Sequence, residues 1–215
     1  MDSDEPADHW NGRYRDIGAE SVSWYEPTPH LSLAMLQLAG LDPCGPGPAA
    51  GGPPRSLIDV GGGASSLART LVDRGTADVT VLDLSTEALS IAQSAMTDPS
   101  VVDWIADDIT TWEPRRAWDV WHDRAVFHFL TDPERRKAYR ARLDRALAPG
   151  GTVCIATFAE DGPEQCSGLD VVRYAPEALL LELGPGLQPI ASGRYLHLTP
   201  SGGVQPFSWV VASRR

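Results

Sequence analysis

The stretch Asp59-Val60-Gly61-Gly62-Gly63 joins a carboxylate to three consecutive glycines at the end of an apolar run, Ser56-Leu57-Ile58-Asp59-Val60. Glycines between a strand and a helix let the backbone turn tightly and approach a ligand with no Cβ in the way. Asp83 ends the next apolar run, 20 positions after Gly63, where a carboxylate can grip ribose hydroxyls. A dinucleotide fingerprint wants a further glycine where this chain has Ser66. Asp59 also argues against a pyrophosphate, because like charges brought close repel. A nucleoside ligand carrying positive charge suits an acidic strand end better. A short-chain dehydrogenase would need a tyrosine four residues before a lysine, and Lys137, the sole lysine, has Pro133 there.

Alternating strands and helices must position these residues. Strands are expected at 56–60, 78–82, 101–105, 118–123 and 152–158, with two late ones near 193–198 and 207–212. Helices are expected from Pro29 to Ala39, Ser65 to Arg74, Thr86 to Ala95, Pro133 to Leu147 and Pro176 to Leu183. Ser85 caps the third, and Pro149-Gly150-Gly151 stops the fourth. Such alternation predicts an α/β sheet with helices on both faces and ligands at the strand C-termini. That edge collects Asp59, Asp83, Asp108, Asp123 and Phe158. We read a single domain over 1–215: a lid and helix over 1–42, a Gly/Pro-rich connector over 43–55, and the core over 56–215.

A formal net charge of −11 argues against a nucleic-acid partner, which would want a basic surface. The densest basic stretch, Arg135, Arg136, Lys137, Arg140, Arg142 and Arg145, reads as the solvated face of a helix. No membrane span or secretory signal is evident, so a cytoplasmic location is expected. Arginine preference with abundant Gly, Pro and Ala suggests a bacterial source. Cys44, Cys154 and Cys166 show no zinc spacing. No metal is expected either at His122, Asp123 and His128, whose spacing fits no ligand pattern.

Leu57-Ile58-Asp59-Val60-Gly61-Gly62-Gly63 resembles motif I of the class I S-adenosylmethionine-dependent methyltransferases. Val81-Leu82-Asp83-Leu84-Ser85 resembles their ribose-binding strand, and Trp104-Ile105-Ala106-Asp107-Asp108-Ile109 their adenine-side segment. Trp118-Asp119-Val120-Trp121-His122-Asp123 and Leu147-Ala148-Pro149-Gly150-Gly151 are similar to the fourth strand and the turn before the fifth. The resemblance runs from about residue 55 to 160. It implies a Rossmann-like three-layer sandwich whose mostly parallel seven-stranded sheet has the order 3-2-1-4-5-7-6, with the last strand antiparallel. It implies S-adenosyl-L-methionine as cofactor. Asp59, Gly61 and Gly63 would then line its methionine and ribose end. Asp83 would hold the ribose and Leu84 pack on adenine. Asp108, in preference to Asp107, would meet the adenine amino group with Ile109 beside it, and Asp123 would close the cofactor set.

The resemblance further implies in-line methyl displacement, in which alignment in a dry pocket is the main task. The segment from His122 to Phe129 follows the fourth strand and should face the methyl group. His128 is the expected base or orienter there. Arg124 and Phe127 are expected to meet the acceptor. Trp10, Tyr14 and Trp24 resemble a lid segment, and Cys166 sits in a long polar loop expected over the substrate mouth. A small-molecule acceptor with a nucleophilic O, N or S is favoured, since no recognition domain is appended. A protein-lysine acceptor and a non-catalytic cofactor-binding module are the alternatives. The oligomeric state is left open.

Overall fold

A computed structural model describes residues 5–41, 55–75 and 77–215. The connector expected over 43–55, apart from Arg55, and Cys44 within it lie outside the described residues. Five strands, β1 (Arg55–Val60), β2 (Ala77–Asp83), β3 (Asp103–Ala106), β4 (Trp118–Arg124) and β5 (Leu147–Phe158), run parallel in one sheet. A small hairpin follows, β6 (Gln165–Cys166) with β7 (Leu169–Asp170). Two long strands, β8 (Leu187–Leu198) and β9 (Val204–Arg214), complete the main sheet. The order is β3-β2-β1-β4-β5-β9-β8, with β9 antiparallel to both its neighbours. Leaving out the hairpin, this is the expected 3-2-1-4-5-7-6.

Side chains alternate across each strand, so a strand buried on both faces must be apolar throughout. Leu57 on β1, Val120 on β4 and Cys154 on β5 face one way. They pack with Met35 and Leu36 of α2 (His30–Leu38) and with Leu67 and Leu71 of α3 (Leu67–Asp73). Leu89 of α4 (Thr86–Ser94) joins the same layer. Ile58, Trp121 and Ile155 face the other way, against Tyr139 and Leu143 of α5 (Pro133–Ala146) and Leu179 and Leu183 of α6 (Pro176–Leu183). The sandwich therefore has three layers.

Caps set the helix starts. The Ser85 hydroxyl accepts from Ala88 N at 3.1 Å, and the Asp132 carboxylate accepts from Glu134 N at 2.9 Å. Three expectations need correction. Residues 5–17 form a helix, α1, that the polar composition concealed. Val101 lies in a turn over Pro99–Val101, so β3 starts at Asp103. Pro149-Gly150-Gly151 does not separate α5 from the fifth strand; β5 already starts at Leu147, with a register shift where it pairs with β4. The basic face of α5 is paired: Arg136 and Arg140 with Glu182, Arg142 and Arg145 with Glu113. No described helix is long and apolar enough to cross a membrane.

Candidate functional site

The C-terminal ends of β1, β2 and β4 open into a cavity of about 200 Å³. Gly61, the first glycine of the loop, lines it. Gly61 has a φ of 69°, and a Cβ there would stand 2.0 Å from a Val126 methyl. Gly61 N donates to Leu82 O at 2.7 Å, which ties the loop to β2. Gly63 faces away from the cavity, where a Cβ would meet Ala88 and Asp83. Its N–H donates to the Asp83 carboxylate at 2.9 Å, and Ser85 N donates to the other Asp83 oxygen at 2.8 Å. Burial raises the Asp83 pKa to about 6 despite those two N–H donors. Asp83 thus clamps the loop while still lining the cavity.

Leu84, Asp108 and Ile109 line the same end. One Asp108 oxygen accepts from Thr110 N and Oγ1, both at 2.8 Å. The other accepts from Arg135 at 2.8 Å, so Arg135 stands at the cavity rim while its side chain stays 43% exposed. Asp107 reaches the cavity as well, and its carboxylate accepts from Asp108 N at 2.8 Å.

Trp10, Trp24 and Phe129 cluster at an aromatic end of the same cavity, which Tyr14, Cys166 and Arg124 also line. Trp10 meets Phe129 edge-on at 5.0 Å and Trp24 at 5.9 Å, so α1 lies across the opening. Asn11 anchors that helix by accepting from Ser85 Oγ at 2.8 Å and Glu87 N at 3.1 Å. Cys166 is carried by the hairpin, whose Ser167-Gly168 turn has two positive φ values, as a tight two-residue connection demands. Burial pushes the Cys166 thiol up to about 11 and raises the Tyr14 phenol too, so both keep their protons at neutral pH. Ala125, with a φ of 75°, is a strained residue in the cavity wall, where such conformations tend to serve function.

Five residues expected at the site do not line the cavity: Gly63, already described, and His128, Phe127, Asp123 and Asp59. His128 is fully buried between Phe129 and Phe158, and its Nδ1 accepts from Phe158 N at 3.3 Å. Burial lowers its pKa to about 3, which leaves a neutral packing ring behind the wall. Phe127 is buried against Tyr139 and Tyr174 in the core under α5. Asp123 points into that layer and accepts from Tyr139 Oη at 2.6 Å and from Val126 N at 2.8 Å. Burial raises its pKa to about 6. Its work is to fold the turn that carries Val126 and Phe129 to the cavity. Asp59 sits beneath the loop, 2.7 Å from His122 Nδ1, beside a second cavity of about 30 Å³.

Phe129, Ala125, Leu130 and Leu169 belong to the cavity without having been assigned from sequence. Phe129 stood in the segment expected to face the methyl group; the period-2 alternation after β4 breaks at the turn, so its direction was not legible. Among the described residues, no group of His, Cys, Asp and Glu side chains is placed to hold a metal.

Residues 57–151 match the model of a methyltransferase domain family. No curated protein sequence matches. The fold is shared with an S-adenosylmethionine-dependent methyltransferase from Anabaena variabilis, at 18% identity over 98% of this chain and 95% of that one, TM-score 0.72. It is shared with the N-methyltransferase NodS from Bradyrhizobium japonicum in complex with S-adenosylhomocysteine, at 15% identity over 96% and 98%, TM-score 0.70. A 1,6-didemethyltoxoflavin N1-methyltransferase from Burkholderia thailandensis matches at 20% identity over 99% and 86%, TM-score 0.64. The match over residues 57–151, the sheet order and these likenesses show that the chain carries the fold of these S-adenosylmethionine-dependent methyltransferases.

Proposed function

We propose that the chain is an S-adenosylmethionine-dependent methyltransferase acting on a nucleophilic O, N or S of a small molecule. One observation carries this: a continuous cavity joins an acid-lined end, at Asp83 and Asp108, to an aromatic end closed by Trp10, Trp24 and Phe129. The residues present fit the donor. Gly61 lets the backbone approach it, Asp83 and Asp108 offer acceptors to a nucleoside, and Leu84 and Ile109 supply apolar walls. The bound donor supplies an electrophilic methyl group on a sulfonium, which aromatic faces at Trp10 and Trp24 suit electrostatically.

The chain's own part is alignment and exclusion of water. Trp10 of α1 packs on Phe129 along one wall of the cavity, and Cys166 of the hairpin adds to the wall. His128 is walled off and neutral, and Cys166 and Tyr14 hold their protons, so none of these three groups serves as a ready base at neutral pH. A cavity of about 200 Å³ that the donor must share supports a small acceptor over a protein side chain. The neighbour crystallised with 1,6-didemethyltoxoflavin, a small molecule, supports the same class.

Calorimetry with S-adenosylmethionine tests the donor. Binding is expected, and none at millimolar donor would refute the reading. A panel of thiols, phenols, amines and a lysine peptide with labelled donor tests the acceptor. Transfer to a small molecule is expected; transfer to the lysine peptide alone would move the reading to the protein-lysine class. Donor binding with transfer to nothing would favour a non-catalytic cofactor-binding module.

A further inference from the structure

The second cavity, under the glycine loop, shares Gly61 and Arg124 with the first, so the two adjoin. Its wall holds buried polar atoms without hydrogen-bond partners. Asp59 gives one oxygen to His122 and leaves Oδ2 unpartnered, in a side chain only 3% exposed. Glu26, 8% exposed, accepts from His197 Nδ1 at 3.0 Å and from Tyr195 Oη at 3.4 Å through Oε1, and leaves Oε2 unpartnered. Arg124 donates from Nη2 to Trp24 O at 2.5 Å; its Nη1 has no acceptor and stands 3.8 Å from Glu26 Oε2. Unpartnered buried acceptors and donors are costly, and so many around one small space point to a ligand that completes them.

His197 explains how Glu26 is held there. Its Nε2 lies 2.7 Å from Ser23 O while its Nδ1 faces the Glu26 carboxylate. The ring thus bridges the Glu26 carboxylate and the Ser23 carbonyl and fixes the direction of the carboxylate. Burial opposes ionisation of Glu26. The hydrogen bond from His197 and the Arg124 charge outweigh it and hold the carboxyl below its usual range.

Two carboxylate oxygens and one guanidinium nitrogen, all without hydrogen bonds, complement an α-amino-acid zwitterion, with donors on its ammonium and acceptors on its carboxylate. We propose that Glu26, with Asp59, receives the ammonium of the methyl donor's amino-acid end, that Arg124 receives its carboxylate, and that His197 is the positioning residue for Glu26. This rests on the donor reading above and moves Arg124 from the acceptor to the donor.

Calorimetry with two ligands tests it: S-adenosylhomocysteine, and 5′-methylthioadenosine, which keeps the nucleoside and sulfur but lacks the amino-acid end. Glu26→Gln is expected to weaken S-adenosylhomocysteine about tenfold or more and to leave 5′-methylthioadenosine within about twofold. His197→Gln should weaken the same ligand alone, and should add nothing in the Glu26→Gln background, because the two act as one unit. Equal weakening of both ligands would overturn the proposal, since Glu26 would then only fasten the segment from Ser23 to Glu26. No weakening of either would also overturn it, leaving the cavity to water. If thermal melting shows Glu26→Gln unfolded, Arg124→Gln is measured on the same pair with the same expectations. A wild-type protein that binds neither ligand fails before any variant is made, and refutes the donor reading itself.

Discussion

The two ends of the main cavity are built by opposite means. The acid-lined end comes from residues within a few positions of strand termini: Gly61 after β1, Asp83 at the end of β2, Asp108 just after β3. Backbone hydrogen bonds between neighbouring strands set their spacing, so a short sequence pattern suffices to place them. The aromatic end is assembled from α1, the segment around Trp24, the turn after β4 and the β6–β7 hairpin. No strand ladder joins those pieces. They meet through side-chain packing and isolated hydrogen bonds, such as Trp10 on Phe129 and Asn11 on the start of α4. Under the proposed function the nucleoside end of the donor is held by the sheet, whereas its amino-acid end, through Glu26, and the acceptor depend on what is laid over the sheet.

Substitutions at each end can break that division. The largest effect is expected from Gly61→Ala, which sets a Cβ 2.0 Å from Val126 and forces a left-handed backbone on alanine. Donor binding should disappear from calorimetry, and the melting temperature should fall by the equivalent of about 1–3 kcal/mol. Asp83→Ala should follow, weakening donor binding by roughly tenfold to a hundredfold through loss of charged acceptors and of the loop clamp.

Trp10→Ala is expected to raise the acceptor KM by about tenfold while the donor Kd moves by less than about threefold, since Trp10 walls only the aromatic end. A larger change in donor Kd would erase the distinction between the ends. His128→Ala should cost about 2–4 kcal/mol in denaturant unfolding and leave the donor Kd nearly unchanged, because the ring packs behind the wall. A donor effect equal to that of Asp83→Ala would return His128 to the site.

The smallest effects follow from pH. Asp83 and Asp123 are raised from 3.8 to about 6 in the folded chain, so between those values the native state binds more protons than the unfolded one. Stability from these groups is therefore present below pH about 4 and declines as pH rises through about 6. Donor affinity runs the other way, because protonated Asp83 loses its charge for the ligand, and should fall as pH drops below about 6. Unfolding and calorimetric titrations across that window check both signs. A flat donor profile would show that Asp83 serves the loop alone.

Much of the fold was legible because both-face burial writes itself into strands as apolar runs, and caps such as Ser85 and Asp132 announce helix starts. α1 was missed because its apolar face is thin. Trp10, Tyr14 and Ile17 do recur at helical spacing, and that was the signal available. The residues after β4 were the hardest. Asp123, Phe127 and His128 stand beside Arg124, Val126 and Phe129 in sequence, yet the turn sends the first set into the core and the second set to the cavity.

Sequence by itself determined the glycine loop, the acids at the strand ends and the order of elements, because each depends on local periodicity and on residue types that few backbone conformations accept. Only the tertiary structure decided which histidine is walled off, that Arg135 meets Asp108, and that Glu26, Arg124 and His197 converge from 26, 124 and 197. Depth and facing across 171 positions of chain are properties of packing. They are set when separate elements close on one another, after local preference has already been spent on forming them.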